Sequence, residues 1–367
     1  TTSASNGTIA IDSTANAFTG AVSLNTTGSA GHVVIDGGTT ALNIGQSSIG
    51  GSIVLTTGNT ITDSGTVTVG GGMSVNTDAN NGVINLGTLA VDGTIALATH
   101  GTGNATVVND AGLNFAASTV GGNLSATATT GNITDSAPLS ISGTSSLTTI
   151  AQNADIIIDN TTRSFIGAVS LNTTGRTGHA TLDNGTSALN IGASSVGGNM
   201  TLISGNRSGI WDSGKVTVGG NLSATTDANS GMINLGTLAV DGMVSLTTHG
   251  KGNATVLNDT SLRLVGGSFI GGDLKANSKT GRVTTLGNVT VMGTSNLPKD
   301  KIFAKREKLL KQMTVLVAVP MAPPPTAAPS FSGGRPGGGV ALPGPRSAAI
   351  PTQSAPLIGF SSKAAAP

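Results

Sequence analysis

The residues with the widest chemical repertoire in this 367-residue chain are four histidines, and they come as two equivalent pairs, His32 with His179 and His100 with His249. Each adjoins a glycine at an expected turn. With no cysteine in the chain and no glutamate near them, they lack the thiolates or carboxylates that usually complete a zinc site, and their recurrence reads as duplication. The acids are sixteen Asp and a single Glu, Glu307. Polysaccharide cleavage needs clustered carboxyl groups, with bases to bind or deprotonate an acidic sugar. Residues 1–162 contain no Lys or Arg, and most Asp stand singly in turn contexts such as Asp36-Gly37, Asp63-Ser64 and Asp92-Gly93, where hydrogen bonding to the local backbone accounts for them. Asp78-Ala-Asn-Asn-Gly82 and Asp227-Ala-Asn-Ser-Gly231 resemble fragments of a calcium loop but lack the later bidentate Glu. Gly70-Gly-Gly72 precedes no helix that could cradle a phosphate. The Asn-X-Ser/Thr triplets at Asn25 and Asn172 follow from composition. The expectation is a non-enzymatic protein with no catalytic residue, no metal and no cofactor, and a carbohydrate-cleaving site is the least favoured class.

The elements that position these residues must be built from small side chains. There are 55 Gly, aromatic residues make up 2% and charged residues 10%, against about 25% charged in an ordinary globular domain. Hydrophobic residues at 37% still supply a core, so wholesale disorder does not fit. The longest apolar stretch, Met313 to Val319, is far shorter than the roughly 20 residues that cross a bilayer. No membrane span is expected, and a net charge of +1 gives no overall attraction to nucleic acid. Without an initiator Met or signal peptide, the sequence reads as a mature or excised chain.

An internal repeat dominates. Phe18-Thr-Gly-Ala-Val-Ser-Leu-Asn-Thr-Thr-Gly28 returns as Phe165-Ile-Gly-Ala-Val-Ser-Leu-Asn-Thr-Thr-Gly175, Ile84 to Gly93 returns at Ile233 to Gly242, and Gly131 to Leu147 returns at Gly281 to Leu297. Residues 1–147 and 148–297 are therefore two copies of one unit. Within each, glycines followed by alternating runs (Gly20, Gly51, Gly71, Gly93, Gly122, Gly143) suggest six coils per unit and about twelve in all. Strands of about five residues separated by Gly, Asn, Asp or Thr-Thr-Gly turns predict three short strands per coil, a triangular parallel solenoid. The copies indicate which side faces inward: positions 95 and 97 read Ile and Leu against Val244 and Leu246, while the intervening Thr94 and Ala96 face Met243 and Ser245. Apolar inside and small or polar outside, at a period of two, is a strand pattern. The expected core includes Val22, Leu24, Leu42, Leu55, Ile95 and Leu97 with their second-copy partners. A helical solenoid fails because Gly, Thr, Ser, Asn and Val are poor helix formers and no 3.6-residue period occurs. A β-sandwich would leave the recurrence of positions unexplained. Stacking at about 4.8 Å per coil gives a rod of roughly 55–60 Å.

The run Gly122-Asn-Leu-Ser-Ala-Thr-Ala-Thr-Thr-Gly-Asn-Ile-Thr-Asp-Ser136 resembles the β-strand repeats of filamentous haemagglutinin-type bacterial exoproteins. The resemblance covers residues 1–297. It implies a right-handed parallel β-helix, export to the extracellular space or bacterial cell surface, and work in adhesion or biofilm. Neither a two-partner secretion domain nor a membrane barrel is evident in the sequence.

After Leu297 the composition changes: twelve of the thirteen Pro lie at 298–367. Residues 299–312 can form a basic amphipathic helix, Met313 to Val319 one more strand or a docking segment, and residues 321–367 an extended Pro/Ala/Gly-rich tail. Formal charge runs from −9 over residues 1–162, through +3 over 163–298, to +7 over 299–367. On a rod whose sequence order is its axial order, the two ends attract. The first coil would also present unpaired backbone groups. The candidate head-to-tail interface is therefore Thr1, Thr2 and Asp12 against Lys299, Lys301, Lys305, Arg306, Lys308, Lys311, Met313, Val315 and Val317. Its partner is another copy of the chain, or adjoining repeats of a longer polypeptide; residues 298–320 are a basic amphipathic cap over the last coil, favoured over membrane-surface binding, or a docking segment. A binding module whose Thr, Asn and Asp faces take up glycans or a receptor is the alternative.

Overall fold

Alternation at a period of two becomes parallel strands throughout. The computed structural model describes residues 1–160 and 162–297, and within them every strand pairing is parallel and no helix occurs. The chain winds as a β-solenoid of about 13 turns, roughly 60 Å of stack at the ordinary strand spacing. Each turn contributes to two sheets, one of 19 strands and one of 16. In the first sheet Ile9 lies beneath Val33, Val33 beneath Ile53, Ile53 beneath Met73 and Met73 beneath Ile95. In the second, Leu42, Ile61, Ile84, Ala105, Leu124, Ser145 and Val169 form a comparable column. These columns make one continuous core in which Leu24, Leu42, Leu55, Ile95 and Leu97 are buried as expected, while Val22, in the first turn, is only partly covered.

The sequence-based count of six coils per unit is revised to seven: the first sheet is visited at residues 9, 33, 53, 73, 95, 113 and 133 before the second copy begins at 156. The glycine markers misled because Gly20 precedes a pass through the second sheet, Gly51 to Gly93 precede passes through the first, and Gly122 and Gly143 precede the second again. The two long gaps between markers each hold one and a half turns.

Three strands per turn also hold only in part. Turns such as Leu113–Phe115, Ser118–Val120 and Leu124–Ala128 have one straight arm and one bent arm, whereas Met73–Asn80 and Ile84–Val91 are two long arms. A buried serine plugs several bends. Ser47, Ser118, Ser194 and Ser268 each accept the backbone N–H of a leucine in the preceding turn (Leu24, Leu97, Leu171 and Leu246) and donate to a carbonyl two or three residues back. At the other corners a buried threonine closes the chain reversal: Thr26, Thr77, Thr99, Thr173, Thr226 and Thr248 donate Oγ1–H to the carbonyl of a glycine four or five residues on. Water cannot reach these groups, so each hydroxyl satisfies an otherwise orphaned backbone atom.

Candidate interaction surfaces

The histidines serve the stack. His32 Nδ1 accepts the Ser52 N–H at 2.9 Å and His179 Nδ1 accepts the Asn199 N–H at 2.8 Å, while Nδ1 of His100 and His249 lies 2.7 Å from the carbonyl oxygens of Thr77 and Thr226. Each ring is thus tied to the neighbouring turn, and no group of three or more His, Cys, Asp or Glu capable of holding a metal occurs among the described residues.

The aspartates that end Ile-x-Asp strands bond to the next turn and not to their own backbone, which corrects the local-turn reading of Asp63. Asp63 accepts the N–H groups of Gly87 and Thr88 and the Thr88 hydroxyl, all from the next turn, at 2.7–2.9 Å. Asp212 repeats this with Gly236 and Thr237. Asp135 occupies the same place at the boundary between the two units. Its Oδ1 accepts the Asp159 N–H at 3.1 Å, and its Oδ2 accepts Arg163 Nε–H at 3.1 Å, with Nη2 also 3.1 Å away. Both side chains are wholly shielded from solvent, and Arg163 Nη1 donates upward to the Asp183 carbonyl at 2.6 Å. Burial pushes the Asp135 carboxyl above the usual aspartate range; the nearby guanidinium and its hydrogen bonds pull the other way and offset part of that. The fourth such position, in Val283–Leu286, carries Thr285, whose Oγ1 is buried and has no hydrogen-bond partner among the described residues.

Two surface troughs share one construction. On the second sheet, Thr106, Ser125 and Ser146 stand in register beside a corner column of Asn104, Asn123 and Thr144, enclosing about 430 Å³. On the first sheet, Thr201, Ser223 and Ser245 stand beside Asn199, Asn221 and Met243, enclosing about 260 Å³. Each asparagine Oδ1 accepts the N–H of the residue one turn up, at 2.7–2.8 Å.

Of the sequence-predicted interface residues, Thr1 is exposed, Thr2 donates its N–H to the Asn25 carbonyl and its hydroxyl to that of Gly7, and Asp12 is exposed. Lys299, Lys301, Lys305, Arg306, Lys308, Lys311, Met313, Val315 and Val317 lie outside the described residues, as do the expected helix and tail. Sequence reasoning missed the buried pair Asp135–Arg163 and the buried asparagines Asn109, Asn184 and Asn258. Asn109 and Asn258 each bond both the N–H and C=O of one residue in the turn below, Val91 and Val240. Strand parity held the signal: in Ala105–Asn109 the inward positions are 105, 107 and 109, so Asn109 had to face the core.

The chain belongs to the family described as repeats of unknown function (DUF5649), whose model matches residues 30–98, 102–172 and 177–247. No curated protein matches, and no solved structure does. The matches begin 72 and then 75 residues apart, so the family repeat is half of the long unit, or about three and a half turns. Equivalent residues therefore fall on alternate sheets: Ser47, Ser118, Ser194 and Ser268, and likewise Asp63, Asp135, Asp212 and Thr285, alternate between the second and first. The two troughs obey the same rule. Repeat membership and a β-solenoid fold are consistent with a structural or adhesin-like role.

Proposed function

We propose that this protein is a non-enzymatic structural rod of the filamentous haemagglutinin type, exported to the bacterial surface or extracellular space, where it forms part of a filament, biofilm matrix or adhesin. It associates head to tail with copies of itself, or lies in line with adjoining repeats of a longer chain. The observation that carries this reading is the uninterrupted ladder across the boundary between the units, where Ile133, Ile156 and Ala180 remain in register. A stack that joins one unit to the next without a change of fold can be extended by the same contacts. The axial drift from acidic to basic side chains favours joining unlike ends, and a contact between unlike ends does not close on itself. A non-catalytic reading is supported by Asp63 and Asp212, whose carboxylates are occupied by the next turn.

Electron microscopy of the purified chain tests this: filaments that shorten or vanish on deletion of residues 299–320 are expected, and discrete particles at every concentration would overturn the end-to-end reading. Protease accessibility on intact cells tests the location. The hydroxyl- and amide-lined troughs favour a second reading, a glycan-binding adhesin module. Saturable binding on a glycan array by rods that never polymerise would select it.

A further inference from the structure

Hydroxyl and amide columns recur over much of the outer surface and mark no site by themselves. One side chain on that surface is of another kind. Trp211 is the single Trp of a chain that has no Tyr. In the strand Ile210–Asp212 the inward position is Ile210, so parity turns Trp211 outward, where it stays partly exposed. The residues before Asp63, Asp135 and Thr285 occupy the same place in the other repeats, and all three are threonine: Thr62, Thr134 and Thr284. A large apolar ring at a solvent-facing position gives up burial that an inward one would supply, and the three threonines show that the fold does not require it.

Its neighbours are amides and a thioether. Asn190 stands opposite Trp211 one turn below and Asn234 one turn above. Met232, diagonal to the indole on the turn above, is 48% exposed and widens the apolar surface. Asp212, next in the strand, has its carboxylate occupied by Gly236 and Thr237. The ring also continues a corner column of the second sheet. Asn104, Asn123, Thr144, Ala168, Asn190 and Trp211 follow one another in register. The indole therefore lies two turns, about 10 Å, above Ala168 at the upper edge of the larger trough. No residue lining that trough is charged. The first cation in the column, Lys275, comes three turns above Trp211, after Asn234 and Thr255.

We propose that Trp211 is the stacking platform of a glycan-binding site that runs axially from the larger trough, and that its ligand is a neutral, hexose-based chain. A hexopyranose has an apolar C–H face and a rim of hydroxyls. The face packs on the indole and Met232, and the rim bonds to the amides of Asn190 and Asn234. Turns spaced at about 4.8 Å repeat a hydroxyl or amide along the column for the rest of the chain. The uncharged trough selects against uronic and sialic acids, because a carboxylate there would lose water and find no cation. This rests on the glycan-binding reading and adds to it a place, a direction and a sugar class.

Because the chain has one Trp and no Tyr, its intrinsic fluorescence reports this position alone. The full chain is first applied to an array of neutral, uronic-acid and sialic-acid oligosaccharides, and the strongest neutral binder is then titrated against Trp emission. Neutral hits only are expected, with a saturable change in emission that follows binding. W211T installs the residue of the other repeats, so the fold is kept, and should weaken binding at least about tenfold. W211F, still aromatic, should recover part of that loss. S125K/S146K, which obstructs the trough from outward positions, should weaken binding with Trp211 intact. Array binding that leaves Trp emission unmoved and survives W211T would overturn the site and leave the glycan-binding reading standing. Binding lost in W211T but indifferent to S125K/S146K would overturn the axial course, and hits confined to acidic sugars would overturn the sugar class. A parent chain that binds no glycan on the array would overturn both the site and the reading beneath it.

Discussion

The two units are closest where they are repetitive and differ most at a single boundary. Thr26 and Thr173, Ser47 and Ser194, Asn109 and Asn258, Asp63 and Asp212 make the same contacts in both copies. Asp135 and Thr285, which should match, do not: one is held by a buried guanidinium and the other is a neutral hydroxyl. A parallel ladder alone cannot choose between two nearly equal units, because backbone pairing is the same for every turn. Choice has to come from side chains that penalise the wrong neighbour, and a buried ion pair used at one boundary only is such a device.

The largest effect is expected from breaking that pair. Arg163→Asn removes the cation and leaves the Asp135 carboxylate shielded from water without its partner charge, at a cost of about 3–5 kcal/mol at neutral pH. Asp63→Asn removes a carboxylate with no buried partner charge and should cost about 1–3 kcal/mol. The combination Asp135→Thr with Arg163→Asn writes the neutral version into the internal boundary and should recover most of the loss, as read by denaturant midpoints and by hydrogen exchange at the boundary turns. Equal losses for Arg163→Asn and Asp63→Asn would remove the distinction between the boundary and the repeat interior.

The same pair fixes a pH dependence. Burial raises the Asp135 carboxyl above its unfolded value, so between those two values the folded chain holds the proton more tightly. Stability from this group is therefore greatest below the ordinary aspartate range and falls as pH rises through the raised value. Arg163→Asn removes the offsetting guanidinium and should steepen that fall, making the variant relatively more stable in mild acid than at neutral pH. A flat difference between variant and parent across pH 4 to 8 would show that Asp135 stays fully solvated.

How much of this was legible in the sequence follows from what each contact depends on. Inward and outward faces were readable because strand parity acts residue by residue: Ile95 and Leu97 are buried and Ala96 is not. The duplication was readable because it is identity at a distance. The turn count was not, since Gly20 and Gly51 look alike in sequence yet introduce different sheets, and only pairing reveals that Val22 lies beneath Ile44 and Ile53 above Val33. The Asp135–Arg163 pair was invisible because its members are 28 residues apart and each resembles an ordinary turn residue. Asn109 could have been found by extending the parity argument to polar residues.

A smaller effect is expected at the corners, where the two units can be compared at one position. Gly28 and Gly175 have φ of 81° and 80°, and each packs over a left-handed asparagine, Asn6 or Asn153. Alanine at either place pays the left-handed strain of about 1–2 kcal/mol and drives a methyl into the asparagine below. Asn6 belongs to the first turn, while Asn153 is held between turns, so Gly175→Ala should lower thermal stability more than Gly28→Ala. Equal shifts would mean that the first turn is as firmly held as the interior.

The smallest effect belongs to the basic half of the surface. Asp259 lies 2.6 Å from Lys279 Nζ and 3.3 Å from Lys215 Nζ, and hydrogen bonds to these two lysines hold its carboxyl below the usual aspartate range. The sign is opposite to that of Asp135: the contribution is present above the unfolded pKa and is lost as pH falls through the lowered one. Because the group is exposed, salt screens it and the gain in stability is slight. Its titration is nonetheless measurable by NMR. Lys279→Ala should return the Asp259 midpoint toward the ordinary value at low salt and change little at high salt, whereas the response of Asp135 to Arg163→Asn should persist at both. If the two aspartates lost their perturbation equally on adding salt, the boundary pair would be as wet as the surface pair, and its role in ordering the units would fail.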